Sequence, residues 1–246
     1  MLVSALGAGP VAVAARADLE AHGVTVVDAA GPEFPLAVSA VLVDDATGER
    51  SVVSPDGALA VAPAPSAEAL RALPAPAVVL LDGHHPAIAR AVLELTSSSW
   101  VPETPLITPD DRSPRDPQLI LDAGRWRDLF AELMPRADVV AASADFRVPG
   151  HDDVVAGALA AGAGAVVVTH GAGPVTWATR GGEHGVIDVP PAEVRDTLGA
   201  GDAFHGALAA AIGAGEGRED AIRTAVRVAG TRVSQVGPRA WLSLVP

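Results

Sequence analysis

The run Asp196-Thr197-Leu198-Gly199-Ala200-Gly201-Asp202 is the part of this chain best equipped for chemistry. Gly199 and Gly201 permit a tight turn and a close backbone approach. Behind them Phe204, Leu208, Ala211 and Ile212 fall on one face of a helix. The backbone N–H groups of residues 199–202 then point out of the N-terminus of that helix, where an anion is favoured. Asp202 adds a carboxylate to this cradle. Two readings compete for it. The carboxylate either complements the positive helix end, or it takes a proton from a hydroxyl while the amides stabilise a phosphoryl group in transfer. Phosphoryl transfer is the leading chemistry.

Composition narrows the alternatives. All 17 basic residues are arginine, which excludes a lysine base, a Schiff base and a phosphate-loop lysine. The chain has no cysteine, so disulfides, thiolate metal sites and thiol nucleophiles are excluded as well. A formal charge of -13 offers no positive field for a nucleic-acid backbone. No apolar run reaches the length of a membrane span and no basic-then-apolar leader opens the chain. A cytoplasmic enzyme with neither nucleic-acid nor membrane partners is the expectation.

Other chemistry-bearing residues cluster at strand ends. Thr169 and Gly171 follow the apolar run VVVTH, at the carboxyl side of a strand, where open α/β sheets bind ligands. His170 between them either meets a phosphate or makes an ordinary structural hydrogen bond. Asp82, with His84 and His85 beyond it, and the acids Asp122 and Asp145 hold similar strand-end positions. Each either touches a ligand or satisfies a turn. The adjacent histidines lack the spacing of a transition-metal site. Arg125, Arg127 and Arg147 either approach phosphates or, the better reading, are surface or ion-pair arginines, and Gly230 and Gly237 either permit close backbone packing or end a helix in a turn.

The elements that must position these residues alternate short apolar runs with Ala-rich helical stretches, the pattern of parallel strands joined by crossover helices. Strands are expected at residues 2–6, 24–27, 78–83, 118–122, 138–142 and 165–169, the third of them buried. Helices are expected at 10–22, 86–95, 126–134, 152–161, 202–212 and 220–233. Residues 37–43 and 50–53 flank the turn formers Asp44, Asp45, Thr47 and Gly48 and predict a hairpin outside the main sheet. Residues 175–179 and 186–189 predict antiparallel edge strands. The proline-rich stretch 101–117 and the connector around Pro63 and Pro65 read as irregular.

The intact Asp-Thr-Leu-Gly-Ala-Gly-Asp run resembles the second signature of the ribokinase-like PfkB family of carbohydrate and nucleoside kinases, and the resemblance extends over nearly all of residues 1–246. It implies an α/β fold, a three-layer sandwich with a mostly parallel central sheet. Residues 36–54 would be a partial β lid. Family members usually begin further upstream, and by this resemblance a first core strand, a substrate-binding acid and further lid strands would belong before Met1.

The resemblance also implies roles. Asp202 is similar to the family's catalytic base, and the amides of Gly199, Ala200 and Gly201 to its anion hole. Asp196 would organise the phosphate region, together with a monovalent cation. Thr169, Gly171, Thr197 and Ser143 complete the implied ATP-binding set. Where relatives carry Asn with Glu three residues later to organise Mg2+, this chain has Ser143 and Phe146, so its metal-positioning residues stay unassigned, with Asp145 a shifted substitute. The implied activity is transfer of a phosphoryl group from ATP, with Mg2+, to a hydroxyl of a sugar or sugar-like molecule by a homodimer. A nucleoside acceptor, or a weakly active nucleotide-binding regulator, remains the alternative.

Overall fold

The computed structural model describes residues 1–43, 50–55, 60–98 and 117–245. The turn residues Asp44, Asp45, Thr47 and Gly48, and all of the stretch 101–117 except Pro117, lie outside the described residues. The chain divides into two compact units, Met1–Ala75 with His84–Ser113, and Pro76–Gly83 with Pro114–Pro246.

In the first unit β1 (Leu2–Ser4) and β2 (Val26–Asp28) pair in parallel around α1 (Pro10–Ala21), whose first residue is the expected proline. Both strands depart from expectation for one reason, which is hydrogen bonding at their ends. The strand at the start stops at Ser4 because the N–H groups of Leu6 and Gly7 turn to the Asp28 carboxylate (3.0 and 3.1 Å). Arg16 closes on the same carboxylate at 2.7 Å. Val24 donates to the Leu19 carbonyl and finishes the turn after α1, so β2 begins only at Val26.

The expected hairpin is present as β3 (Ala40–Val43) paired antiparallel with β4 (Arg50–Val53), a separate two-stranded sheet. The connector, read as irregular, holds a short helix of strong helix formers, α2 (Ala67–Arg71), started by Ser66, whose Oγ accepts from Ala69 N–H. With α3 (Pro86–Ser98) the unit closes on a small core of Ala5, Ala62 and Ile88.

The second unit is built on one sheet. Its strands are β5 (Val78–Leu81), β6 (Gln118–Ala123), β7 (Val139–Ser143), β8 (Ala165–His170), β9 (Gly173–Thr179) and β10 (His184–Ile187), side by side in the order β10-β9-β8-β7-β6-β5. The pairings from β5 to β8 are parallel, and β9 and β10 add an antiparallel margin. This is the α/β sandwich about a mostly parallel sheet that the apolar runs required.

Burial on both faces explains those runs. Ile120, Ala141 and Val167 face a core shared with Phe204, Leu208, Ile222 and Val226, which come from α6 (Ala200–Gly213) and α7 (Arg218–Val233). Strand alternation turns Leu121, Val140 and Val166 the other way, and they too are fully buried. Helix α5 (Val154–Ala160) is held by Asp153, whose carboxylate caps Ala156 N–H at 2.7 Å.

Two expectations need correction. Residues 78–83 are not a fully buried strand. β5 is parallel as expected, but among the described residues it pairs only with β6, and Leu80 is 38% exposed, because the strand is the margin of its sheet. Nor is 126–134 one helix. Only α4 (Phe130–Leu133) is α-helical, and Pro135 turns the chain into a 3-10 turn over Met134–Arg136. Trp126 stands before the helix and packs edge-on against Phe130 and tilted against Phe146.

The link from α5 to β8 depends on Gly162. Its φ is +106°, and a Cβ there would lie 2.8 Å from the Cα of Pro135, a backbone atom. Gly162→Ala is expected to cost about 1–3 kcal/mol of stability. Equilibrium urea unfolding checks this, and an unchanged midpoint and slope would contradict it.

Candidate active site

Gly199 sets the geometry of the expected cradle. It is the cap residue of α6 and takes φ +74°, ψ 13°, a left-handed conformation that an L side chain adopts only with strain. The helix begins at Ala200, two residues before the position expected from the apolar pattern. Within the turn, Ala200 N–H donates to the Thr197 carbonyl at 3.3 Å, so this amide faces back into the turn. The N–H groups of Gly201 and Asp202 belong to the first turn of α6, where the helix offers no carbonyl four residues back. Asp202 itself is exposed, and a Cβ on Gly199 would sit 3.6 Å from its Oδ2 and 3.7 Å from Nε of Arg232. A carboxylate and a guanidinium thus flank the Gly199 backbone.

Arg232 ties this turn to the rest of the unit. Its side chain is 4% exposed. It donates to the Asp196 carboxylate at 3.0 Å, and also to the carbonyls of Gln235 and Asp196 at 3.0 and 3.4 Å. Asp196 accepts from two backbone N–H groups besides, Leu198 at 2.9 Å and Gly237 at 3.2 Å. The Leu198 amide, followed by the Arg232 guanidinium, holds the Asp196 carboxyl below the usual carboxylate range, against the opposing effect of its partial burial. Arg195 and Asp196 also donate backbone N–H groups to the Val233 carbonyl. Sequence reasoning missed Arg232. Its signal is a cation on the apolar stripe of α7, in step with Ile222, Ala225, Val226 and Ala229.

Beside the turn opens a cavity of about 930 Å³. Asp196, Gly199 and Asp202 line one end, Ala207 and Ala210 of α6 form a wall of small side chains, and Val228 and Trp241 stand across from them. Small residues along α6 leave the volume that a flat, largely apolar group needs, next to polar groups at one end. Gly237, at φ +90°, both lines the cavity and meets Asp196, whereas Gly230 lies within α7.

The remaining expected residues fall elsewhere in the unit. Ser143 and Thr169 are register partners at the carboxyl ends of β7 and β8, and Thr169 Oγ1 donates to the Ala142 carbonyl at 3.4 Å. Gly171 makes the turn to β9 at φ +62°. None of the three lines the cavity. His170 pairs with Thr176 across that turn at 3.3 Å and has the structural role. Arg147 donates to the carbonyls of Ala144 and Phe146, both at 2.7 Å. Asp122 meets His205 at 2.9 Å.

Phe146 is buried to 1% exposure against Phe130 and Trp126, while Asp145 is exposed. The position where a metal-organising acid was sought is therefore a core position. Among the described residues no three His, Cys, Asp or Glu side chains converge as a metal site. In the first unit, His85 packs edge-on against Phe34.

Comparison with known proteins adds independent information. A family model described as pfkB family carbohydrate kinase matches residues 1–243. The chain is similar to the structure of Arabidopsis thaliana ribokinase complexed with ribose and ATP, with TM-score 0.68 and 21% identity over 98% of this chain and 80% of that one. It is similar to a candidate ribokinase II from E. coli in complex with ATP and Mg2+, with TM-score 0.69 and 19% identity over 96% and 77%. It also resembles adenosine kinase from Schistosoma mansoni in complex with 2-fluoroadenosine, with TM-score 0.70 and 16% identity over 96% and 73%. At these identities the likeness shows the fold. No curated protein matches the chain by sequence.

The Asp196 contacts lead to a pH-dependent stability. A carboxyl held below its ordinary value of 3.8 stabilises the fold fully above that value, and the contribution is lost as pH falls towards the lowered one. Asp196→Asn leaves Arg232 buried without its counter-charge and is expected to cost about 1–3 kcal/mol at neutral pH. The difference from wild type should narrow below pH 3.8. Denaturant titrations at neutral and acid pH check this, and equal stabilities at pH 7 would contradict it.

Proposed function

Because the chain belongs to the pfkB family of carbohydrate kinases, we propose a division of labour among its residues for the family's reaction, phosphoryl transfer from ATP to a hydroxyl of a sugar-like molecule. Asp202 is the base. Its carboxylate takes the proton of the acceptor hydroxyl, the acceptor oxygen forms the new bond to the γ-phosphorus, and the bond from that phosphorus to ADP breaks. The single observation that carries this reading is the exposed Asp202 carboxylate on the first turn of α6, beside the Gly199 backbone and lining the cavity.

The other assignments follow from the same geometry. The N–H groups of Gly201 and Asp202, with the positive end of α6, stabilise the charge of the transferring group, and the Gly199 turn allows its close approach. Ala200 contributes chiefly to the turn, as its bond to Thr197 indicates. The nucleotide base occupies the alanine-walled cavity, with Asp196 shaping its phosphate end, and Thr197, whose carbonyl accepts from Ala200 N–H, holds the turn beside it. Ser143, Thr169 and Gly171 contact the nucleotide from the strand ends.

Mg2+ bound with ATP would neutralise charge on its phosphates, and the buried Phe146 would offer it no oxygen. A monovalent cation finds no support at Asp196, whose carboxylate already accepts from Leu198, Gly237 and Arg232.

The hairpin β3–β4 exposes Val41, Leu42, Val52 and Val53. We assign this surface, within the lid segment 36–54, to contact between two copies of the chain. The acidic charge argues against nucleic acid as a partner, no helix among the described residues is long and apolar enough to cross a membrane, and the cytoplasm is the assigned compartment. A nucleoside acceptor is the second reading, and an acceptor panel of sugars and nucleosides separates the two.

Asp202→Asn is expected to lower acceptor-dependent ADP formation by about 100-fold or more while nucleotide binding survives. Coupled-enzyme kinetics and calorimetric titration with ATP measure the two quantities. Undiminished turnover in the variant would remove Asp202 from the role. Light scattering is expected to show twice the chain mass, and a monodisperse monomer at micromolar concentration would refute the dimer.

A further inference from the structure

His205 follows Asp202 by three residues, so the two lie one turn apart on α6. Their surroundings are opposite. Asp202 is exposed, whereas His205 is 8% exposed and has both ring nitrogens buried. The ring is aimed at the carboxyl end of β6, where Nδ1 stands 2.9 Å from Oδ2 of Asp122. The two atoms stand at hydrogen-bonding distance, but the contact falls short of an aligned hydrogen bond. Asp122 sits between Leu121 and Ala123, both fully buried, on a strand locked by its pairing with β7. The pair therefore joins the helix that carries the proposed base to a rigid part of the sheet.

The composition of α6 explains why such a joint is needed. Apart from Phe204, Leu208 and Ile212, the helix presents alanine and glycine to its neighbours, and Gly206 follows His205 directly. Contacts of small apolar groups are not directional, and they resist rotation or sliding of a helix only weakly. A polar contact inside the fold adds little net stability against an apolar replacement, but it can select one register. His205 does not line the cavity.

We propose that Asp122 and His205 form a positioning pair that fixes the rotation of the first turn of α6, and through it the placement of the Asp202 carboxylate against the acceptor hydroxyl. This rests on the reading of Asp202 as the base. His205 acts through Asp202 and touches no reacting atom. An error of about 1 Å in such a group costs on the order of 100-fold in rate.

The test compares His205→Leu with His205→Asn, whose side-chain nitrogen can stand near the position of Nδ1. His205→Leu is expected to lose about 10- to 100-fold in kcat with the KM for ATP within about twofold of wild type. His205→Asn is expected to recover to within about fivefold. Asp122→Leu removes the same pair from the strand side. It is expected to match His205→Leu and stands in for it if that variant does not fold.

A second readout needs no turnover. Amide hydrogen exchange of the apo proteins, followed by mass spectrometry, should be faster in residues 199–206 of the leucine variants while α7 stays protected. A folded leucine variant with wild-type kcat and wild-type exchange would overturn the pair, as would an asparagine variant no better than leucine. If wild type forms no ADP with any acceptor, the functional reading fails by itself, and the exchange measurement still decides the pair.

Discussion

A guanidinium that has left water must find its charge and hydrogen bonds inside the protein, and in this chain Arg232 finds them at Asp196 and the carbonyls around it. That requirement reaches across 36 residues and brings the start of the glycine-rich turn to the end of α7. Once Asp196 is held there, Leu198 and Gly237 complete its coordination, Gly199 must reverse the chain, and α6 can start only at Ala200. The exposure of Asp202 follows, because the first turn of α6 emerges at the surface before the helix dives under the sheet at Phe204. The arrangement is costly to break from either side, since each partner would leave a desolvated charge behind.

The sheet does a different job. It stays nearly invariant under the site, since its central strands are buried on both faces and packed by helices. Its carboxyl ends deliver Asp122, Ser143 and Thr169 to one rim, and α6 crosses behind β5 and β6. The exposed Asp202 carboxylate thus stands on a helix end above a rigid layer, the usual division in open α/β sheets.

What could be read from the sequence follows the range of the interactions. The Gly199 turn, the start of α6 and the apolar strands are local matters of backbone freedom and periodicity, and they stand within a residue or two of the structure. The partnerships of Asp196 with Arg232 and of Asp122 with His205 are long-range, and no spacing rule connects their members. The edge position of β5 is equally hidden, because an apolar tetrad looks the same at the margin of a sheet as at its centre. Phe146 shows the reverse: a position sought for a ligand turned out to be core, and its aromatic type was already the warning.

The order of strands in the main sheet also has a temporal meaning. Each of β5 to β10 lies beside its successor in the chain, so the sheet can grow by adding the next segment to an existing edge as synthesis proceeds. The groups that line the cavity all come from residue 196 onward and so leave the ribosome after the strands of the sheet. A nascent chain can assemble its scaffold without yet owning the cavity, and the surface that α6 and α7 will cover stays apolar and open until then. Late arrival of those two helices makes that face the one most exposed to misassociation during synthesis.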